Sequence, residues 1–335
     1  MKRIVRTLCL VAMVALVATS CKKKEEAVKF ELTLAETTGF EVGPSLDGEK
    51  AYLDPYDGYK FKWNEGDAVM VYNLSKTSPA ESVCGLYLGE QGCQGKQQTT
   101  FSGVPLGAKK DAGFFIFYNP EKAHADLQNN RETFTVAATQ TYNPTYLMDP
   151  TTLVMASEGE VVDDIIVRST LKHIFGFLNV AIADNVGSKK VSKIVVRDAM
   201  WNLTGDLDLI LTEVNESAFT TLVNQLATTG NTDAYKEALG AYLTQLGYHA
   251  HGERTKEITL ECNNFALPWR QWQYFFIPLR PGALYEGFTV EIYLQGDAEG
   301  QPSLSKTFEG THLNYLIQPG NFKNMYFTTA NGFLQ

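Results

Sequence analysis

The chain is poor in cysteine: five among 335 residues, at positions 9, 21, 84, 93 and 262. No two stand at Cys-x-x-Cys spacing, so a zinc site has no support. No G-x-S-x-G, H-E-x-x-H or P-loop occurs, so a nucleophile elbow, a zincin helix and a nucleotide cradle all lack their local signature. Positive charge is also scarce. Twenty-nine Lys and Arg face 38 Asp and Glu, and the net charge of −9 comes without an extended basic cluster. That balance argues against nucleic acid and anionic lipid as partners. One apolar run stands out, Leu8 to Val17, and at about 1.5 Å per residue it is too short to span a bilayer. No metal and no cofactor is expected from these absences.

What is present begins with "MKRIVRTLCLVAMVALVATSC". Lys2, Arg3 and Arg6 precede the apolar run, small residues Ala18-Thr19-Ser20 follow it, and Cys21 comes next. Residues 1–20 read as a secretory signal peptide. Small residues directly before a Cys resemble the lipobox of bacterial lipoproteins. That resemblance implies cleavage before Cys21 and lipidation of its thiol and amino group. Each buried CH₂ of an acyl chain contributes about 0.8 kcal/mol, so several chains anchor firmly. Residues 21–28, with "KKKEE", form a charged tether. They also resemble the surface-export signal of lipoproteins in Gram-negative anaerobes, which implies display on the outer face of the outer membrane. The signal holds three basic residues and no acid, so the mature chain is more acidic than the precursor. Cys84 and Cys93 could close a loop in an oxidising compartment, and Cys262 is left odd, as a small buried apolar residue.

Short strand-like runs fill the rest. "KFELTL" (29–34) alternates, with Phe30, Leu32 and Leu34 on one face. "GFFIFYNP" (113–120) is continuous, like a strand buried on both faces, and "ETFTVAATQTY" (132–142) is rich in β-branched residues. "KIVVRDAM", "EITLEC", "QYFFIPL", "FTVEIYL" and "NMYFTTA" continue the pattern, with Gly, Asn, Asp and Pro between them. The spacing predicts an all-β protein of β-sandwiches. About 315 residues remain after signal cleavage, enough for two domains, placed at 29–168 and 169–335. Between about 213 and 247 the period turns helical. Phe219, Leu222, Val223 and Leu226 form one stripe and Tyr235, Leu239, Tyr242, Leu243 and Leu246 another, which predicts a helical insertion in the second domain. "STLKHIFGFLNVAI" (169–182) switches apolar parity midway, which predicts one strand with either a bulge, placed at Gly176, or burial of both faces.

"YKFKWNEGDAVMVYN" (59–73) predicts a hairpin, with Gly66 at positive φ and Asp67 bonding its own turn. Its "F-x-W-x-x-G-D-x-x-x-V-Y" pattern resembles the N-terminal signature of the fimbrillin family, pilins and pilin-like lipoproteins of Gram-negative anaerobes. "TFSGV", "GFFIFYNP", "YLMDPTTLVMAS", the His173 strand, "NLTGDLDL", "YFFIPL" and "LIQPGNFKNMYF" follow in the family's order, from about Phe30 to Phe327. The resemblance implies two tandem transthyretin-like β-sandwiches, a lipoprotein precursor, and strand exchange between subunits. It makes other pilin-like subunits, or a host or bacterial surface ligand, the expected partners. In the pilins a protease removes the first strand, usually after an Arg. Here no Arg lies between Arg6 and Arg131, so a subunit that keeps its first strand and stays at the membrane fits better.

Several residues invite chemistry and have plainer readings. His173 amid Phe and Leu reads as a core histidine. His249 and His251 in "YHAHGER" lack a third ligand nearby in sequence. Asp163-Asp164 reads as a strand-edge charge pair. "LPWRQWQYFF" (267–276) offers Trp269 and Trp272, whose rings suit a pyranose face if exposed and otherwise cover the end of a sandwich. The expectation is therefore a surface-displayed, lipid-anchored fimbrial subunit or adhesin without catalytic function, with Phe30, Leu32 and Leu34 as donor-strand candidates. The alternatives are a glycan-binding lipoprotein using Trp269 and Trp272, and a hydrolase whose scattered carboxylates meet in space.

Overall fold

A computed structural model describes residues 28–34, 61–63, 65–103, 106, 110–118, 124–126, 128–163, 166–210, 248–251, 253–310 and 315–334. These residues form twenty strands and only two short 3₁₀ turns. In chain order the first ten are β1 (Lys29–Leu34), β2 (Ala68–Leu74), β3 (Val83–Gly89), β4 (Gln98–Ser102), β5 (Gly113–Tyr118), β6 (His124–Asp126), β7 (Arg131–Val136), β8 (Thr139–Thr141), β9 (Met155–Asp163) and β10 (Ile166–His173). The second ten are β11 (Gly176–Ala183), β12 (Lys190–Asp198), β13 (Gly205–Ile210), β14 (Tyr248–His251), β15 (Glu257–Ala266), β16 (Trp272–Leu279), β17 (Gly287–Leu294), β18 (Leu304–Glu309), β19 (Phe322–Thr328) and β20 (Gly332–Phe333). The all-β class follows directly. The region expected to be helical, 213–247, lies outside the described residues.

Seven strands, in the order β1-β10-β9-β5-β2-β3-β4, close into a ring. Its interior is lined by alternate residues of each strand, among them Phe30, Val71, Tyr87, Phe101, Ile116 and Val167. The continuous apolar runs have a physical explanation here. In β5, Phe114, Ile116 and Tyr118 point into the ring, while Phe115 and Phe117 join a second, larger core. β2 does the same, with Val69 and Val71 inside and Tyr72 and Leu74 outside. A strand with core on both faces has no polar positions to alternate with.

The second core lies between a four-stranded sheet, β16-β11-β19-β20, and a five-stranded sheet, β18-β17-β12-β15-β8. All eight residues of β11 are buried. A fourth sheet, β14-β13-β7-β6, joins strands from early and late in the chain. β8 likewise leaves its neighbours in sequence to pair in parallel with β15. β10 itself runs through the expected boundary at Arg168.

Three local expectations are corrected. Residues 61–63 do not form a hairpin with β2. Trp63 exchanges backbone bonds with the loop before β4 instead, its N–H to Lys96 O at 2.8 Å and its C=O to Gly95 N at 2.8 Å. Gly66 does adopt φ +90°, and the Asp67 carboxylate accepts from Tyr118 OH at 3.0 Å. Second, "ETFTVAATQTY" splits into β7 and β8, which belong to different sheets. Third, the expected single strand 169–182 is two strands, of which the second, β11, is buried on both faces. The chain leaves the ring after His173 and enters the second sheet at Gly176, so the parity switch marks a crossing between cores rather than a bulge.

Gly176 makes that crossing sterically possible. A Cβ there would overlap the carbonyl oxygen of Gln318 and sit 2.7 Å from Ile317 Cγ2. The obstacle is backbone, which cannot swing away. Gly176→Ala is expected to destabilise the fold by about 2 kcal/mol or more, measured by the denaturant midpoint.

His173 ends β10 in the same crossing, buried, with ring centroids 4.0 Å from Phe61 and 5.1 Å from Phe177. Neither ring nitrogen has a hydrogen-bond partner. Burial therefore pushes its pKa down to about 3 and the imidazole is neutral. The unfolded chain takes up this proton near pH 6.5 and the folded one does not. Stability should thus fall as pH drops from 6.5, by about 2 kcal/mol at pH 5, before carboxylates begin to contribute. His173→Phe should flatten that slope in urea titrations at successive pH values without loss of stability at pH 7. A slope unchanged by the substitution would place the titrating group elsewhere.

Candidate assembly site at the first strand

β1 is a six-residue strand with partners on both sides. It runs parallel to β10, with Phe30 opposite Val167 and Leu34 opposite Leu171, and antiparallel to β4, with Lys29 opposite Ser102 and Phe30 opposite Phe101. It is the stave that closes the ring, because it joins β10 to β4. Without it the remaining six strands form an open sheet whose two ends, β10 and β4, each present unpaired backbone.

The side chains match the alternation of the sequence. Phe30 and Leu32 are fully buried. Phe30 meets Tyr87 and Phe114 edge-on, with centroids 4.6 and 5.8 Å away. The Leu34 backbone is paired, and its side chain lies outside the described residues. Lys29 is exposed, and Glu31 meets Arg168 Nε at 2.5 Å on the surface, a contact of small energetic value but useful for register. Burying Phe30 and Leu32 contributes about 1.5–3 kcal/mol each, against roughly 1–2 kcal/mol per residue to order the backbone. Over six residues that ordering cost exceeds what the two side chains return, so the backbone bonds to β10 and β4 must supply the rest, and another strand of the same pattern can make the same bonds.

The remaining candidates sort by position. Trp272 is 4% exposed and packs edge-on against Tyr326, centroids 5.3 Å apart, so it offers no surface ring. Trp269 is 63% exposed. The two indoles therefore do not form the shared platform that their spacing allowed. Sequence could not separate them: Trp269 makes an isolated bridge to Asp184, whereas Trp272 opens β16. Cys84 and Cys93 are not joined, because Cys93 sits inside the ring while Cys84 packs on the outer core. Cys262 is buried, and burial pushes its thiol well above the usual range. β14 carries His249 and His251, whose side chains lie outside the described residues, as do Asp164, Cys21 and the tether up to residue 27. Among the described residues, no three His, Cys, Asp or Glu side chains converge on a metal-sized point, and no helix is long and apolar enough to cross a membrane.

The groove residues around β1 were missed by sequence reasoning. Tyr87, Phe101, Val167 and Leu171 come from three strands, and the Glu31–Arg168 contact alone spans 137 positions. A parallel partner leaves no local turn signal; only the matching alternation of "KFELTL" and "VRSTL" could have hinted at it.

No family model and no curated relative matches the chain. Solved structures do resemble it along most of its length. They are adhesion and fimbrial proteins. One is described as a candidate cell adhesion protein from Bacteroides ovatus, 10% identical, with 92% of this chain and 94% of that one covered and a TM-score of 0.49. Another, from Bacteroides uniformis and described in the same words, is 14% identical over 93% and 96% of the two chains, with a TM-score of 0.48. A fimbrial protein from Bacteroides ovatus is 8% identical, covers 90% of this chain and 48% of its own, and has a TM-score of 0.36.

Proposed function

We propose that the protein is a lipid-anchored subunit or adhesin of the cell surface that assembles by exchange of its first strand. The observation that supports this most is β1 itself, bonded along both edges and filling the ring with Phe30 and Leu32. It begins only eight residues after Cys21, the expected lipid attachment site, counting from 21 to 29 along the chain. A strand vacated from its own ring leaves two backbone edges and an apolar groove, which a strand of like alternation fills by β-augmentation. The partner is then a second pilin-like subunit or a surface ligand that supplies such a strand. No catalytic role is assigned.

Anchoring and display are tested apart from exchange. Cys21→Ala should move the chain from the outer-membrane fraction to the soluble fraction. Protease added to intact cells should cleave the parent chain if residues 21–28 direct it outward. A Cys21→Ala chain that remains membrane-bound would refute the lipid anchor, and full protection would place the protein on the periplasmic face.

A further inference from the structure

We infer that His249, His251 and Asp206 form a binding site for a divalent transition-metal ion of the Zn²⁺ class. The sheet β14-β13-β7-β6 brings these positions together. β13 and β14 run antiparallel, with Asp206 directly opposite His251 and Asp208 directly opposite His249. Opposed residues of an antiparallel pair share a face, with Cβ atoms about 4.5–5.5 Å apart, and diagonal neighbours lie within about 7–8 Å. Backbone register therefore sets two His, spaced i and i+2 on one strand, beside two Asp spaced likewise on the next. The ligand that His249 and His251 lack nearby in sequence comes from the adjacent strand.

The other face of this sheet is committed to packing. Leu207 and Leu209 of β13 and Phe134 and Val136 of β7 belong to the larger core. By alternation Asp206, Asp208, Thr133 and Thr135 take the opposite face, where Thr133 opposes Asp208 and Thr135 opposes Asp206. Asp208 is buried and engaged. It accepts from Arg131 Nη1 at 3.0 Å and from Thr133 Oγ1 at 2.7 Å, so it is not counted as a ligand. Asp206 is half-buried and accepts from Thr135 Oγ1 at 2.6 Å, which uses one of the roughly four acceptor positions of a carboxylate. A hydrogen bond of that kind orients a ligating carboxylate without replacing the metal.

Donor type selects the ion. Two imidazoles and one carboxylate, without a thiolate, suit Zn²⁺ and its neighbours, whereas Ca²⁺ and Mg²⁺ take oxygen donors. Three of the chain's five His stand on this face of the sheet, since His124 of β6 opposes Thr133. His124 is two strand spacings from Asp208, about 10 Å, too far to share the ion. β14 is the edge strand, and 37 residues, from 211 to 247 inclusive, separate it from β13. An ion held across the two strands closes that loop and fastens the edge. The inference does not depend on exchange of β1.

The test strips the full mature chain with EDTA and titrates it with ZnCl₂ by calorimetry at pH 7.5. Expected is one ion per chain with a Kd of about 10 μM or tighter. His249→Gln and His251→Gln should each weaken binding at least about thirtyfold and Asp206→Asn at least about fivefold, while His124→Gln changes nothing. Affinity should drop at least about tenfold between pH 7.5 and 5.5, because both imidazoles must be neutral to ligate. Saturating Zn²⁺ should raise the Tm of the parent and not that of His251→Gln, and in EDTA all variants should melt with the parent, which shows them folded. Binding no tighter than about 100 μM would overturn the site. So would zinc bound equally by the His variants, which places the ion elsewhere. Loss in the His variants with none in Asp206→Asn would leave an adventitious His pair and overturn the three-ligand site.

Discussion

Deleting residues 21–34 should convert a monomer into a self-associating species. The truncated chain loses Phe30 and Leu32 from the ring interior and leaves β10 and β4 unpaired on one side each. Open edges beside an apolar groove recruit strands. Sedimentation should show oligomers that grow with concentration, and the full chain should stay monomeric at the same concentrations. The effect is large because one segment supplies both the missing side chains and the missing backbone bonds. A milder companion keeps the strand and spoils its face. Leu32→Asp buries an unpaired carboxylate and should cost about 3 kcal/mol or more, leading to the same association at full length. A truncated chain that stays monomeric and folded at high concentration would leave β1 a static part of the barrel.

The second large effect concerns Asp184. Burial by itself would raise its pKa, but three backbone amides and the Thr329 hydroxyl outweigh that and hold it below the ordinary carboxylate value. Its contribution is therefore complete above the unfolded-state pKa of about 4 and is lost as pH falls through the lower folded value. Asp184→Ala leaves those donors without their acceptor and should destabilise the protein by about 3 kcal/mol at pH 7. The difference from the parent should shrink in acid below pH 4, read from urea midpoints across pH. A difference that stays constant down to pH 2 would mean that the carboxylate's charge plays no part. Asp184→Asn should recover part of the loss, since its oxygen still accepts while its charge is gone. Because the loop it ties also seats Trp269, Asp184→Ala should broaden the Trp269 indole resonance as well.

These outcomes bear on what could be read in advance. The alternation of "KFELTL" and the unbroken apolar run of β5 were legible, since burial on one face or two writes itself directly into the residue pattern. The place of β1 was not. Its parallel partner lies in the distant β10, and sequence spacing holds no trace of a contact made by ring closure. The supposed hairpin at 59–73 misled because Phe61, Trp63 and Gly66 fit a strand and turn equally well. Which backbone Trp63 would meet, Lys96 and Gly95 rather than β2, was decided by packing inside the ring. Trp269 and Trp272 stand three residues apart with similar neighbours, and only the left-handed turn at Arg270 sends one outward and one into the core.

Exchange itself can be trapped chemically. Lys29 and Ser102 are directly opposed in the antiparallel pair of β1 and β4, where cross-strand Cβ atoms lie about 4.5–5.5 Å apart, close enough for a disulfide after slight adjustment. One chain carries Lys29→Cys and a second carries Ser102→Cys. The two are mixed in mild denaturant, returned to buffer and oxidised. If β1 is an exchangeable strand, a disulfide-linked dimer joining Cys at 29 of one chain to Cys at 102 of the other should form, confirmed by peptide mapping, while a chain with both substitutions closes the bond within itself. If the doubly substituted chain cross-links efficiently and the mixed chains give no such dimer at any denaturant concentration, β1 does not leave its own ring and assembly by strand exchange is contradicted.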